Sequence, residues 1–209
     1  MHEPLLIGSG NRGKAAELAE LLQGLPWDVK SLADFPNAPE PVEDGDTFEA
    51  NAVKKASCFS ACFNVCCVAD DSGLMVDALG GAPGIHSARY AGAACNDADN
   101  RAKLLAALDG VPEKKRTARF VCCAAFMKPG QPPHIETGAV EGRIAFECRG
   151  QLGFGYDPLF IPEGFEETFG EIEPALKHLV SHRGRALRKL RDYLESLIES
   201  HCPDTARHT

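Results

Sequence analysis

Short apolar runs alternate along this chain with longer stretches whose apolar residues recur at helical spacing. Leu5 to Ile7 is a brief run that stops at "GSGNRGK", after which Ala15, Leu18, Ala19, Leu21 and Leu22 share one helical face. The pattern reads as strand, glycine-rich turn and helix, and Trp27 to Leu32 predicts a second strand. Thr47, Phe48, Ala52, Val53, Ala56 and Phe59 predict a second amphipathic helix, capped near Asp46 or Thr47. Val65 to Ala69 predicts a strand that ends on two adjacent carboxylates, Asp70 and Asp71.

In the second half, "DADNRAKLLAAL" predicts a helix stopped by "DGVP". "TARFVCCAAFM" and "HIETGAVEGRIAF" predict two strands joined as a hairpin through "KPGQPP". Ser181 to Ser200 predicts a closing helix with Leu187, Leu190, Leu194 and Leu197 on one face. Three segments read as loops: "ADFPNAPEPVEDGD", "RGQLGFGYDP" and the long "GGAPGIHSARYAGAACN", in which no regular structure is expected. Helices alternating with strands, followed by a hairpin, predict an α/β fold with a mixed sheet. No repeat, low-complexity linker or boundary interrupts the chain. Residues 1–200 are therefore expected to form a single domain, with "HCPDTARHT" (201–209) as a frayed tail.

Composition narrows the class. Of 209 residues, 44% are hydrophobic and 25% charged, the ordinary balance of a globular protein. No apolar run approaches the roughly 18 residues of a membrane span. The N-terminus "MHEPLLIGSG" lacks the basic start of a signal peptide, so a cytoplasmic protein with no membrane partner is expected. The net charge of −8 argues against a nucleic-acid groove but leaves room for a small anionic ligand beside local basic residues. The nine cysteines include no CxxC pair, which removes the usual zinc spacing. Cys66, Cys67, Cys122 and Cys123 lie in apolar strands, while Cys58 and Cys62 share a helix face. They read as reduced, small hydrophobes.

Four groups of residues carry candidate chemistry. "SGNRGK", Ser9 to Lys14, leaves a strand and enters a helix; its glycines, helix N-terminal amides and lysine suit a phosphate, although such a turn can also be purely structural. Glu43 and Asp44 precede a helix bearing Lys54 and Lys55, a pattern that the helix dipole alone would favour. With Asp70 and Asp71 added, it suits the hard-carboxylate set of a Mg²⁺ site completed by substrate phosphates and water, although the acidic pair can also be read as strand-end caps. In "GFGYDP", Phe154 and Tyr156 could stack on a flat ring. In "KHLVSHRGRAL", Ser181, His182 and Arg183 open the last helix; such helix-start charges are commonly only solvated, but they would offer hydrogen-bond donors to the aromatic loop if the two loops meet.

With these residues in view, the chain resembles the inosine triphosphate pyrophosphatase family, enzymes that act on non-standard purine nucleoside triphosphates. The resemblance runs from Leu5 to about Leu190 and is carried by "SGNRGK", "TFEANAVKKA", "ADDSGLMVDALGGAPGIHSARYAG", "FGYDP" and "SHRG". It implies an elongated, bent mixed sheet flanked by helices, with the site in a cleft between two lobes, and a homodimer. By resemblance, Ser9, Gly10, Asn11, Arg12, Gly13, Lys14 and Lys55 would hold the triphosphate. Glu43 and Asp71 would bind Mg²⁺, with Asp71 also the proton acceptor, and Ser72 would touch substrate. Phe154, Gly155, Tyr156, Asp157, Lys177, His182 and Arg183 would form the base pocket. The chain departs from the usual pattern at Ser9, commonly threonine; at Leu176, where an acid is frequent; and at His86, which takes no role.

The implied reaction cleaves ITP, dITP or XTP between the α- and β-phosphates, leaving a monophosphate and pyrophosphate and so clearing the nucleotide pool. A 6-oxo group could accept a hydrogen bond from His182 or Arg183, whereas the 6-amino group of adenine would face another donor. Three alternatives stay open: a non-catalytic nucleotide sensor, a metal-dependent phosphomonoesterase, and a pyrophosphatase acting on pyrimidine triphosphates.

Overall fold

A computed structural model describes residues 2–92 and 96–201, except for the side chains of 199–201. In chain order the elements are β1 (Glu3–Ile7), α1 (Arg12–Leu21), β2 (Trp27–Ser31), α2 (Phe48–Phe63), β3 (Cys66–Val76), α3 (Asp97–Ala107), β4 (Thr117–Met127), β5 (His134–Ile144), β6 (Phe160–Pro162), α4 (Pro174–Val180) and α5 (His182–His201). One six-stranded mixed sheet runs β2-β1-β3-β4-β5-β6. The first three strands pair in parallel, as the intervening helices α1 and α2 require. The later strands pair antiparallel, and the "KPGQPP" hairpin joins β4 to β5 in the expected way.

Helices cover both faces of the sheet. On one, Leu5, Ile7, Cys66, Val68, Cys122, Ala124 and Phe126 pack against Leu18 and Leu22 near α1 and against Leu187, Leu190 and Leu194 of α5. On the other, Ala69, Cys123 and Ala125 meet Phe48, Ala52 and Ala56 of α2. A third cluster joins Leu74, Val76, Phe120 and Val140 to Leu104 and Leu108 at α3 and to Phe160 and Phe169. Truncating a fully buried leucine such as Leu187 to alanine costs about 2–5 kcal/mol through lost transfer energy and the cavity left behind. The start of α5 sits so close to β5 that a Cβ on Gly138 would lie 2.2 Å from the His182 carbonyl oxygen. Only glycine fits there.

Four features differ from the sequence expectation. First, the strand bearing the acidic pair does not stop at Ala69: β3 runs through Asp70 and Asp71 to Val76, in register with β4. Second, the loop after Leu79 contains a 3₁₀ segment, Gly84–Arg89, that follows a cis peptide bond between Ala82 and Pro83. Third, β6 and α4 carried no periodic signal because they span three and seven residues. Fourth, α5 begins at His182 rather than at Ser181, and Ser181 accepts a hydrogen bond from the Gly184 amide. Residues 93–95 of the long loop and 202–209 of the expected tail lie outside the described residues. Cys66, Cys67, Cys122 and Cys123 are buried free thiols, as expected. No helix among the described residues is long and apolar enough to cross a membrane.

Candidate active site

The site follows from unequal strand lengths. β1 pairs with β3 only from Leu5–Ile7 against Cys66–Val68, yet β3 continues for eight residues more. The Gly8 amide donates to the Val68 carbonyl at 2.8 Å, and farther along the same edge the Leu74 amide donates to Ser87 Oγ at 2.9 Å. Alternate residues of a strand turn their backbone groups to the same edge, so Asp70 and Ser72 direct theirs into the gap between these two contacts. A cavity of about 500 Å³ occupies this gap, a size suited to a small-molecule ligand.

One wall is the entry to α1. Asn11 caps the helix, its Oδ1 accepting the Lys14 amide at 3.1 Å. The first turn carries no acidic side chain, so its positive end faces the cavity unneutralised. Ser9, Gly10, Asn11 and Lys14 line the space; Arg12 and Gly13 do not. Arg12 is exposed. Gly13 serves a neighbour instead, since a Cβ there would lie 3.1 Å from the Phe154 ring. The missing side chain lets that ring rest on the helix start.

A second wall brings Glu43, Lys55 and Asp71 together. Lys55 Nζ lies 3.2 Å from Glu43 and 3.5 Å from Asp71. Asn51 Nδ2 donates to Asp71 at 3.2 Å while its Oδ1 accepts the Gly45 amide at 2.8 Å, tying the loop that carries Glu43 to the strand that carries Asp71. Asn51 was missed by sequence reasoning. Its signal was a polar residue within the buried stripe of α2, between Phe48 and Ala52. Lys54 points elsewhere, to Asp44.

Asp70 and Asp71 lie on opposite faces of β3, because side chains alternate along a strand. Asp70 is 4% exposed and sits beneath Lys14 at 3.3 Å and Arg183 Nε at 3.4 Å. Burial would raise its pKa, but Lys14, Arg183 and Lys55 outweigh it and hold the carboxyl well below the usual range. Asp71 behaves oppositely. Burial, with Glu43 nearby, raises its pKa despite Lys55, Lys14 and the Asn51 hydrogen bond.

The third wall carries the aromatic loop and the start of α5. Phe154 is half-buried, with Lys177 Nζ 5.1 Å and Arg183 Cζ 5.5 Å from its ring centre. Asp157 accepts from the Phe154 amide at 2.8 Å and from Lys177 at 2.6 Å, which fixes the turn. Tyr156 is not a second free ring. It is 4% exposed, packs with the Phe160–Phe169 cluster and donates its hydroxyl to the Ser87 carbonyl at 2.9 Å. Arg183 engages three partners: Glu17 at 2.5 Å, Asp70 at 3.4 Å and Ser72 Oγ at 2.9 Å. His182 stacks on Phe120 at 4.6 Å, and its buried Nδ1 has no hydrogen-bond partner among the described residues. Burial, reinforced by Arg183, Lys177 and Lys14, lowers its pKa well below the histidine norm, so the imidazole is neutral.

Among the described residues, no three His, Cys, Asp or Glu side chains gather as a metal cluster. Glu43 and Asp71 nevertheless fit Mg²⁺, which takes one or two carboxylates and fills its other positions with water and phosphate oxygens. The Lys55 ammonium already draws both carboxylates toward one positive charge.

Against known proteins, residues 5–193 match the model of the Ham1 family. The chain is 47% identical over 193 residues to the dITP/XTP pyrophosphatase of Shouchella clausii (strain KSM-K16), covering 92% of this chain and 97% of that protein. It superposes on a HAM1 protein from Coxiella burnetii with a TM-score of 0.86 at 39% identity, covering 94% and 100% of the two chains. With the nucleoside-triphosphatase, or dITP/XTP pyrophosphatase, of Mycobacterium abscessus the TM-score is 0.75 at 44% identity, with 90% and 98% covered.

Proposed function

This chain belongs to the Ham1 family, and from that premise we propose that it hydrolyses ITP, dITP and XTP to the monophosphate and pyrophosphate. One observation carries the reading: Lys55 bridges Glu43 and Asp71 at 3.2 and 3.5 Å in the same cavity that receives the acid-free N-terminus of α1. A sensor that merely holds a nucleotide has no need of two converging carboxylates beside its phosphate site.

The triphosphate lies against the α1 entry, where Ser9, Gly10, Asn11 and Lys14 offer donors and positive charge, with Lys55 on the opposite side. Glu43 and Asp71 would hold Mg²⁺, which supplies charge neutralisation on the phosphate oxygens. Asp71 orients the attacking water and takes its proton. The water oxygen bonds to the α-phosphorus in line, the bond to the bridging oxygen breaks, and pyrophosphate leaves. Ser72, held by Arg183, faces the substrate from the open edge of β3.

The purine stacks on Phe154 beside Lys177 and Asp157. Neutral His182 reads the 6-oxo group as a hydrogen-bond donor, while Arg183, tied to Glu17, Asp70 and Ser72, holds the wall behind it. The active form in this reading is a homodimer working in the cytosol. The test is product analysis of the purified chain with Mg²⁺ and ITP, dITP, XTP, GTP, ATP and dTTP. Monophosphate and pyrophosphate from the first three, with little from the others, is the expected result. Orthophosphate, or no turnover of any of them, overturns the reading.

A further inference from the structure

Gly155 is gripped from outside its own loop. Its amide donates to Asp97 Oδ2 at 2.8 Å, and its carbonyl accepts from Arg101 Nη1 at 2.8 Å. Asp97 and Arg101 are four residues apart on α3 and therefore lie one turn above the other on the same face. Gly155 has φ +61°, a left-handed conformation that turns both of its backbone polar groups toward that face. The charged Asp97 and Arg101 side chains make these hydrogen bonds stronger than neutral ones.

The grip bears on the ring beside it. The Phe154 amide is held by Asp157, and the next peptide is held by α3, so the backbone on both sides of Phe154 is fixed. The ring then rests against Gly13 and beside Lys177 and Arg183. With Tyr156 buried, Phe154 is the aromatic face of this loop left to meet a base. α3 is also bound to the neighbouring wall: Asn100 donates to the Ala88 carbonyl at 2.9 Å and accepts the Ala91 amide at 2.6 Å. The helix thus joins the 3₁₀ segment and the aromatic loop into one wall of the cavity.

We propose that Asp97 and Arg101 are positioning residues that hold the Gly155 peptide and, through it, set the Phe154 ring at the height and tilt needed to stack on the purine. They act on the base end of the substrate and leave the phosphate end alone. This inference rests on the proposed function for its substrate, but the clamp itself can be read without one.

The test uses the full chain with Mg²⁺ and compares Asp97→Ala, Arg101→Ala and the near-isosteric Asp97→Asn, which keeps an acceptor for the Gly155 amide. Four quantities are measured: KM and kcat for ITP, the inhibition constant of inorganic tripolyphosphate, the melting temperature, and hydrogen exchange at the Gly155 amide without substrate. Both alanine variants should raise the KM for ITP about tenfold, the scale of a weakened stacking contact. kcat and tripolyphosphate inhibition should stay within about twofold, and Asp97→Asn should restore KM. Gly155 exchange should accelerate in Asp97→Ala at an unchanged melting temperature. An unchanged KM, a parallel loss of tripolyphosphate inhibition, or no rescue by asparagine overturns the positioning role. If the wild-type chain releases no pyrophosphate from ITP, the functional reading fails instead. Gly155 exchange then decides the clamp: unchanged exchange in Asp97→Ala overturns it, and faster exchange supports it.

Discussion

The two faces of β3 treat adjacent carboxylates in opposite ways. On the α1–α5 face, Asp70 is pinned by Lys14 and Arg183, and its charge is favoured despite deep burial. On the α2 face, Asp71 shares Lys55 with Glu43, and its charge is disfavoured. One residue of displacement along a strand changes the face, the partners and the sign of the shift. A strand can thus carry, side by side, one carboxylate whose charge is anchored and one whose charge is disfavoured. Asp70 spends its charge on holding two cations, whereas Asp71 keeps a charge that burial makes costly and that a proton or cation would relieve.

The strongest way to break this contrast is to remove each charge in turn. Asp71→Asn should cut turnover by about 10²–10⁴-fold, the range of a lost general base, while ITP binding measured by calorimetry is largely kept. The same change should raise the unfolding free energy, because it removes a charge the fold disfavours. Asp70→Asn should do the reverse to stability, lowering it by about 3 kcal/mol in urea melts, since Lys14 and Arg183 lose their buried partner. If both variants shift stability in the same direction, the two faces are not opposed. The pH dependence follows in sign. A carboxylate depressed in the fold stabilises fully above its unfolded pKa of about 3.9 and loses that contribution as pH falls further. The acid limb of wild-type stability below about pH 4 should therefore be steeper than that of Asp70→Asn.

The difference between the faces was only partly legible in the sequence. The glycine turn into α1, the α2 cap at Thr47 and the β4–β5 hairpin all followed from local patterns, because capping and turn chemistry act over a few residues. β3 was cut short at Ala69. Its continuation through Asp70, Asp71, Ser72 and Gly73 loses the apolar signal where the strand borders the cavity, so periodicity fails there. The motifs named most of the cavity lining, yet spacing could not show that Tyr156 is packed inside or that Arg183 is engaged with Glu17, Asp70 and Ser72. Those facts depend on contacts between residues more than 60 positions apart. Asp97 and Arg101 gave no signal at all, being ordinary charged residues of an amphipathic helix.

His182 sharpens the contrast at smaller scale, because it lies on the Asp70 side but titrates as a base. Its folded pKa is depressed by burial and by the surrounding cations, so the unfolded chain takes up a proton first as pH falls below about 6.5. Wild-type stability should lose about 1 kcal/mol from this group between pH 6.5 and 5.5, and His182→Asn should lack that slope. Equal slopes in the two proteins would mean that His182 is accessible to protons in the folded state.

The smallest expected effect tests whether the α1 wall and the aromatic-loop wall are coupled. Gly13→Ala adds a Cβ 3.1 Å from the Phe154 ring, tighter than ordinary contact, so the ring must move by a few tenths of an ångström. Alanine also favours the helix by up to about 1 kcal/mol, which offsets the crowding and leaves the melting temperature nearly unchanged. KM for ITP should still rise, by about two- to fivefold, because a displaced ring stacks less well. Phe154→Ala raises KM more, and in the double variant the Gly13 change should add nothing, since the crowded ring is gone. A double-mutant cycle on KM reads this coupling directly. Additive effects would separate the two walls and leave Gly13 with a role in the helix alone.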